Sequence, residues 1–207
     1  MAERNIVLVD YGMGNLRSVQ KALEKTGFPA SISADPQQLS EATHVILPGV
    51  GAFRDAIEKI TQTGLHEALK DHWAKDKPFL GICLGLQLLF EWSHEGGKFP
   101  GLGFFKGEVV HFTPQAEMKI PHMGWNDLQV TKNIPLLDGC PSGSSVYFVH
   151  SYFAVPEDPA LVAAWCDYGG PFAAVVGDNR RMATQFHPEK SQRTGLEMLQ
   201  RFAQIPW

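Results

Sequence analysis

The chain contains no apolar run of eighteen residues, the length a membrane-crossing helix needs. Its opening, MAERNIVLVD, follows charge with an apolar run too short for the core of a signal peptide. A basic stripe is also missing. Lys and Arg are never more than two in a row (Arg180, Arg181), and 22 acidic against 18 basic residues leave a net charge of −4. That excludes the electrostatic footprint of a nucleic-acid binder. Cysteine is scarce: Cys83, Cys140 and Cys166 are odd in number and form no C-x-x-C. A disulfide framework is excluded, and a reducing, cytoplasmic setting is expected. No histidine or cysteine group has zinc spacing, and His66-Glu67 lacks the second histidine of H-E-x-x-H, so neither metal nor other cofactor is expected. Gly12-x-Gly14 lacks a third glycine, because Arg17 stands there, and it is no dinucleotide fingerprint. Repeats, low-complexity tracts and linkers are absent as well, which predicts one domain over residues 1–207.

What is present is enough apolar residue, 44%, for a chain of 207 to bury about 70% of its unfolded surface. Short apolar runs alternate with amphipathic stretches through the first half. Strands are expected at Ile6–Val9, Ala30–Ser33, Val45–Leu47 and Phe79–Ile82, and helices at 15–26, 53–62, 65–74 and Leu84–Trp92. Asn15 reads as an N-cap and Gly27 as a stop. Fully apolar strands between helices imply an α/β fold, a mostly parallel central sheet flanked by helices. The second half reads differently. Residues 93–107 read as a glycine-rich loop. Strands are expected at Val109–Phe112, Leu128–Thr131, Val146–Val155, Leu161–Cys166, Ala173–Val176 and Met182–Gln185, without long helices between them. These are antiparallel strand additions to the same sheet or a small second sheet. A helix over Ser191–Ile205 closes the chain, with Leu196, Leu199, Phe202 and Ala203 on its apolar face.

Residues 81–87 read GICLGLQ. G-x-C-x-G between an apolar strand and a helix has the spacing of a nucleophile elbow, with Cys83 in place of serine. Glycine two residues to either side lets neighbouring backbone approach. The turn is expected to lift the sulfur into solvent above the sheet's carboxyl edge, and the helix N-terminus behind it favours thiolate. A buried cysteine ending a core strand is the plainer alternative. Cys140 (LDGCPSG) and Cys166 (AAWCDYG) lack the elbow setting and read as loop and strand residues. A thiol nucleophile needs an oriented base. In ATQFHPEKS, Pro188 drives His187 toward extended backbone, and in an extended segment Glu189 shares its face. Imidazole and carboxylate can then stand side by side as in a triad. His66 and His72 read as residues of a polar helix face, His44 as preceding a strand, and His94 and His111 as loop residues. Chemistry at a carbonyl also needs donors where negative charge develops. The Leu84 N–H is one, and Pro48-Gly49-Val50-Gly51, with the approachable N–H groups of Val50 and Gly51, is the other source. Val149-His150-Ser151-Tyr152 ends an apolar strand with polar groups, a plausible ligand edge.

Together GICLGLQ, PGVG and HPE resemble the class I triad glutamine amidotransferases. VDYGMGNLRSVQKALE, VILPGVGAFRDA, KIPHMGWN and YFVHSY are similar to the glutaminase subunits of imidazole glycerol phosphate synthase, over residues 5 to about 200. The resemblance implies a flavodoxin-like, class I glutamine amidotransferase fold. It implies that Cys83 attacks the side-chain amide of L-glutamine, that His187 transfers protons and that Glu189 orients it. Gly49, Val50 and Gly51 would form the oxyanion strand after a peptide flip. Gly51, Gln87, Ser151 and Tyr152 match positions that hold glutamine. Asn15, Met123, Trp125, Tyr147 and Lys190 match docking and signalling positions toward a partner cyclase, a TIM barrel that takes the ammonia through a closed path in a heterodimer. Met123 and Trp125 read as residues of an irregular segment. The loop EWSHEGGKFPG departs from relatives at Trp92 and His94. The alternatives are an amidotransferase subunit serving anthranilate, p-aminobenzoate or pyridoxal phosphate synthesis, against which PHMGWN argues, a non-catalytic regulatory module on the same fold, and a cysteine peptidase.

Overall fold

The computed structural model describes residues 4–114 and 118–207, so the first three residues of the charged opening lie outside the described residues. The first half runs β1 (Ile6–Val9), α1 (Leu16–Lys25), β2 (Ser31–Ser33), α2 (Pro36–Glu41), β3 (His44–Gly49), α3 (Phe53–Gln62), α4 (Leu65–Ala74), β4 (Phe79–Cys83) and α5 (Leu84–Leu88). The second half adds β5 (Phe90–Ser93), β6 (Phe99–Pro100), β7 (Phe105–His111), β8 (His122–Val130), β9 (Ser144–His150), β10 (Tyr152–Pro156), β11 (Val162–Asp167), β12 (Pro171–Gly177), β13 (Arg181–Thr184) and α6 (Gln192–Gln204).

Nine strands form the main sheet in the order β2-β1-β3-β4-β13-β12-β11-β8-β9. The first five are mutually parallel, and the last four join antiparallel. The α/β class and the antiparallel additions are as expected. Strands β1, β3 and β4 are buried along their whole length, which explains their continuous apolar character. Alternation still sorts their side chains. Ile6 and Leu8 join the core under α1 and α6, whereas Val7 and Val9 join the core under α3 and α4. Gly27, at φ +87°, ends α1 as expected, with the Phe28 N–H reaching back to the Leu23 carbonyl.

Several boundaries differ from the sequence reading. Helix α5 stops at Leu88 instead of Trp92. The amides of Leu102 and Phe104 take the Leu88 and Leu89 carbonyls at 2.8 Å each, the groups a longer helix would need. Residues 93–107 are not all loop, because β6 and the start of β7 lie there and pair with β5 and β10 in a second, four-stranded sheet. The run 146–155 is two strands in two sheets, broken at Ser151. Met123 and Trp125 stand on β8, not in an irregular segment. Helix α2 was not expected, although Pro36 at its first position and Asp35, whose side chain accepts the Gln37 N–H, are ordinary start signals. His72 is buried rather than on a polar face, its Nε2 3.1 Å from the Pro78 carbonyl.

Candidate active site

The parallel register places Gly49 of β3 beside Cys83 of β4, so both segments leave the sheet at the same edge. Strand β13 lies on the other side of β4, with Thr184 opposite Ile82, and delivers His187 to that edge three residues later. Cys83 sits at φ +55°, ψ −109°, a backbone region that costs a non-glycine residue about 1–3 kcal/mol. Gly85 makes the sharp turn possible: a Cβ there would lie 1.8 Å from the Leu47 carbonyl oxygen.

The sulfur is not raised into open solvent, as the sequence reading expected. Cys83 is only 6% exposed and lines a cavity of about 290 Å³ with Val50, Gly51, Gln87, Ser151 and His187. The segments after β3 and β9 line it on either side. Its Sγ lies 3.9 Å from the Val149 carbonyl and 4.0 Å from Gln185 Nε2. A larger open groove of about 720 Å³, lined by Asn133, Asp138, Arg180 and Arg201 among others, has no cysteine, serine or histidine in its lining.

His187 has the extended backbone that Pro188 imposes, but the next residues form a 3₁₀ turn, Pro188–Lys190. That turn, and not a shared strand face, brings Glu189 Oε1 to 2.9 Å from His187 Nδ1. Both side chains are almost fully buried, and His187 Nε2 has no hydrogen-bond partner. Burial by itself would lower the ring's pKa. Cys83 and Glu189 together outweigh it and raise the value, so the protonated ring is favoured at neutral pH. The main chain around the ring is tied to β9. The His187 N–H donates to the Tyr147 carbonyl at 3.0 Å, the Tyr147 N–H donates to Ser191 Oγ at 3.0 Å, and Ser191 Oγ donates to the His187 carbonyl at 2.7 Å.

Leu84 begins α5, so its N–H has no intrahelical acceptor. Val50 is exposed, and Gly51 stands at φ +92°. Gln87, Ser151 and Tyr152 reach the same cavity. Gln87 Nε2 donates to the Tyr152 carbonyl at 2.9 Å and to Gln185 Oε1 at 3.2 Å. Four of the five residues expected at a docking face gather beside His187. Trp125 meets Tyr147 edge-on at 6.1 Å, Lys190 Nζ sits 5.9 Å over the Tyr147 ring, and Met123 pairs across β8–β9 with Val149. Met123 and Trp125 are 63% and 48% exposed. Asn15 stands at the N-cap of α1 as expected, but its side chain makes no capping hydrogen bond. It lines a small gap with Pro48, Gly49, Val50, His187 and Glu189 instead.

Three features escaped the sequence reading. Gln185 lies against the sulfur. Glu95 brings a carboxylate to the cavity and accepts the Phe53 N–H at 3.0 Å. His122 and His150 form a buried pair: Asn126 Nδ2 lies 3.3 Å from His122 Nε2, His122 Nδ1 lies 3.0 Å from His150 Nε2, and His150 Nδ1 lies 2.8 Å from the Tyr152 carbonyl. Only one proton arrangement satisfies a carbonyl at one end and an amide at the other, with both rings neutral and carrying hydrogen on Nδ1. Burial lowers both pKa values, to about 4 for His122 and about 3 for His150. Among the described residues no group of three or more His, Cys, Asp or Glu is placed to hold a metal ion, and no helix is long and apolar enough to cross a membrane.

Residues 7–205 match the glutamine amidotransferase class-I family. The chain belongs to the class-I glutamine amidotransferases. This amidotransferase is 56% identical over 201 residues to imidazole glycerol phosphate synthase subunit HisH of Rhodopirellula baltica, across 97% of this chain and 98% of that protein. It is 50% identical over 205 residues to the HisH subunit of Syntrophotalea carbinolica, across 97% and 100%, and 52% identical over 197 residues to that of Aquifex aeolicus, across 95% and 94%. Solved structures share the amidotransferase fold at lower identity. PurLQS from Thermotoga maritima superposes with a TM-score of 0.75 at 22% identity, covering 97% of each chain. A glutamine amidotransferase of the same organism gives 0.65 at 15%, covering 94% of this chain and 80% of that one.

Proposed function

We propose that this amidotransferase is the glutaminase subunit of imidazole glycerol phosphate synthase, working in the cytoplasm as one domain over residues 1–207. It hydrolyses L-glutamine to glutamate and ammonia and hands the ammonia to a cyclase subunit in histidine biosynthesis. Its high identity to HisH subunits over nearly the whole chain supports the pathway. The observation that carries the chemistry is a strained cysteine and a carboxylate-paired histidine lining one small cavity.

The Cys83 sulfur bonds to the amide carbon of glutamine, and negative charge moves to the amide oxygen. The N–H groups of Leu84 and of the Gly49–Gly51 strand receive that oxygen. The C–N bond breaks as His187 passes a proton to the leaving nitrogen, which departs as ammonia. Water then adds to the thioester carbon while His187 takes its proton, and the C–S bond breaks to release glutamate. Glu189 keeps the ring oriented and stabilises its charged form. Gly51, Gln87, Ser151 and Tyr152 hold the substrate, and the Glu95 carboxylate has the charge to meet its ammonium group. Free ammonia would be protonated at neutral pH, so its acceptor must dock nearby. The exposed Met123–Trp125 patch, with Tyr147, Lys190 and Asn15, is the docking face for the TIM-barrel cyclase.

The test is ammonia release from glutamine by the pure chain, and again with the cyclase and its nucleotide ligand. The expected result is little release alone, an increase by orders of magnitude in the complex, and none with Cys83→Ala. Release that is equally fast without the partner, or that survives Cys83→Ala, overturns the reading.

A further inference from the structure

Tyr11 lies two residues beyond β1, in the core on the α3–α5 face, and is 3% exposed. Its hydroxyl is buried without a hydrogen-bond partner. A buried unpaired hydroxyl is destabilising, and phenylalanine would fill the same space without that cost. The oxygen's position suggests why it is there. A Cβ built on Gly49 would fall 2.4 Å from it, 3.0 Å from Leu84 Cβ and 3.2 Å from the Gly85 nitrogen. The hydroxyl therefore stands where the two proposed sources of oxyanion donors meet, and it occupies the place a side chain at 49 would take. Burial, and then the nearby Cys83, push the phenol's pKa upward, so the O–H keeps its proton and remains a donor.

We propose that Tyr11 is a positioning residue for the oxyanion site, whose O–H donates to the Gly49 carbonyl when the Gly49–Val50 peptide turns its N–H into the cavity. A trans peptide is planar, and its N–H and C=O point in opposite directions. Turning the Val50 N–H toward a developing oxyanion must turn the Gly49 carbonyl away from the cavity, into buried surroundings. Unpaired, that carbonyl would oppose the turn. The Tyr11 hydroxyl removes the obstacle, and the turn in exchange gives the hydroxyl the partner it lacks. The two exposed residues that follow, Val50 and Gly51, leave the segment free to move. Because the bond forms only in the productive arrangement, it adds to transition-state stabilisation and not to substrate binding.

This inference rests on Cys83 being the nucleophile, and the experiment keeps the two apart. Wild type, Tyr11→Phe and Cys83→Ala are each assayed in complex with the cyclase for kcat and KM toward glutamine, with thermal melts of the free chains. If wild type is inactive or Cys83→Ala is active, the parent reading fails. With that reading intact, Tyr11→Phe is expected to lower kcat about tenfold, the worth of one hydrogen bond, with KM changed less than about twofold and Tm equal or higher. An unchanged kcat overturns the proposal. So does a lower kcat with a lower Tm, because that combination marks a structural hydroxyl. The separation of falling turnover from undiminished stability is what a packing role would not produce.

Discussion

Gly85→Ala sets two effects of opposite sign against each other. In a helix interior alanine is better than glycine by about 1 kcal/mol, so helix propensity predicts a more stable protein. The packing predicts the reverse. The new methyl would sit 1.8 Å from the Leu47 oxygen and 2.9 Å from its carbonyl carbon, while Cβ atoms essentially never come within 3.0 Å of a neighbour. The obstacle is backbone of a central strand, with no flexible end to swing aside. Helix α5 and β3 must separate by about 1 Å, and overpacking of this kind costs about 1–3 kcal/mol. With the propensity gain set against the upper part of that range, the net loss is about 1–2 kcal/mol, or a fall of roughly 2–8 °C in Tm for a chain of this length. The same shift moves Cys83 and the Leu84 N–H relative to Gly49. A misplacement of about 1 Å costs about 10²-fold in turnover. Melting followed by circular dichroism and glutaminase assays in the cyclase complex read both quantities. A Tm that rises with kcat intact would refute the reasoning.

Glu189→Gln keeps the shape of the orienting side chain but removes its charge, and should lower kcat by roughly 10³–10⁴-fold with the fold intact by circular dichroism; a loss below tenfold would remove Glu189 from the catalytic set. Burial holds His44, His72, His122 and His150 neutral, with pKa values lowered to about 4, 4, 4 and 3, so the unfolded chain binds protons that the native state refuses between there and about 6.5. Their contribution is complete above about 6.5 and is lost as pH falls, by up to about 3 kcal/mol for each of His44, His72 and His122 and about 5 kcal/mol for His150, whereas the raised His187 gives up its share as pH rises above about 6.5. Thermal melts should be highest near neutrality, fall steeply below pH 6 and decline again as pH rises toward the raised pKa of His187, about 10, and a Tm flat to pH 5 would contradict the assignment. Trp125→Ala should weaken cyclase binding by roughly thirtyfold, the size of an interface hot spot, while leaving the melting temperature of the free chain unchanged. Equal affinity by calorimetry would place the docking face elsewhere.

Much of the parallel half of the fold was legible because each element obeys a local rule. Helices α3 and α4 end where their apolar period ends, and the all-buried strands β1, β3 and β4 read as plain apolar runs. The residues proposed for catalysis were legible because their types are unusual in their settings, a cysteine between glycines at a strand–helix turn and a histidine pinned by proline. Strand β8 was half hidden because Met123 and Trp125 place apolar groups on its exposed side, which spoils the alternation that marks a strand. The end of α5 was decided by amides of the 101–105 loop, which no local pattern reveals. The same holds for His122 with His150, 28 residues apart, and for Gln185 with Cys83, 102 residues apart. Tyr11 drew no reading from the sequence, because its significance lies wholly in what stands above its hydroxyl.

Tyr147 faces two ways. Its ring borders the exposed Trp125–Lys190 surface, and its carbonyl accepts from the main chain of His187. With the docking face and the base as proposed, assembly and turnover share one mechanical anchor, with no intervening layer to insulate them. In a genetic screen, alleles that spoil subunit pairing and alleles that spoil ammonia production should fall on the same few codons. Suppressors of one class, recovered as compensating changes in the barrel, should restore the other as well.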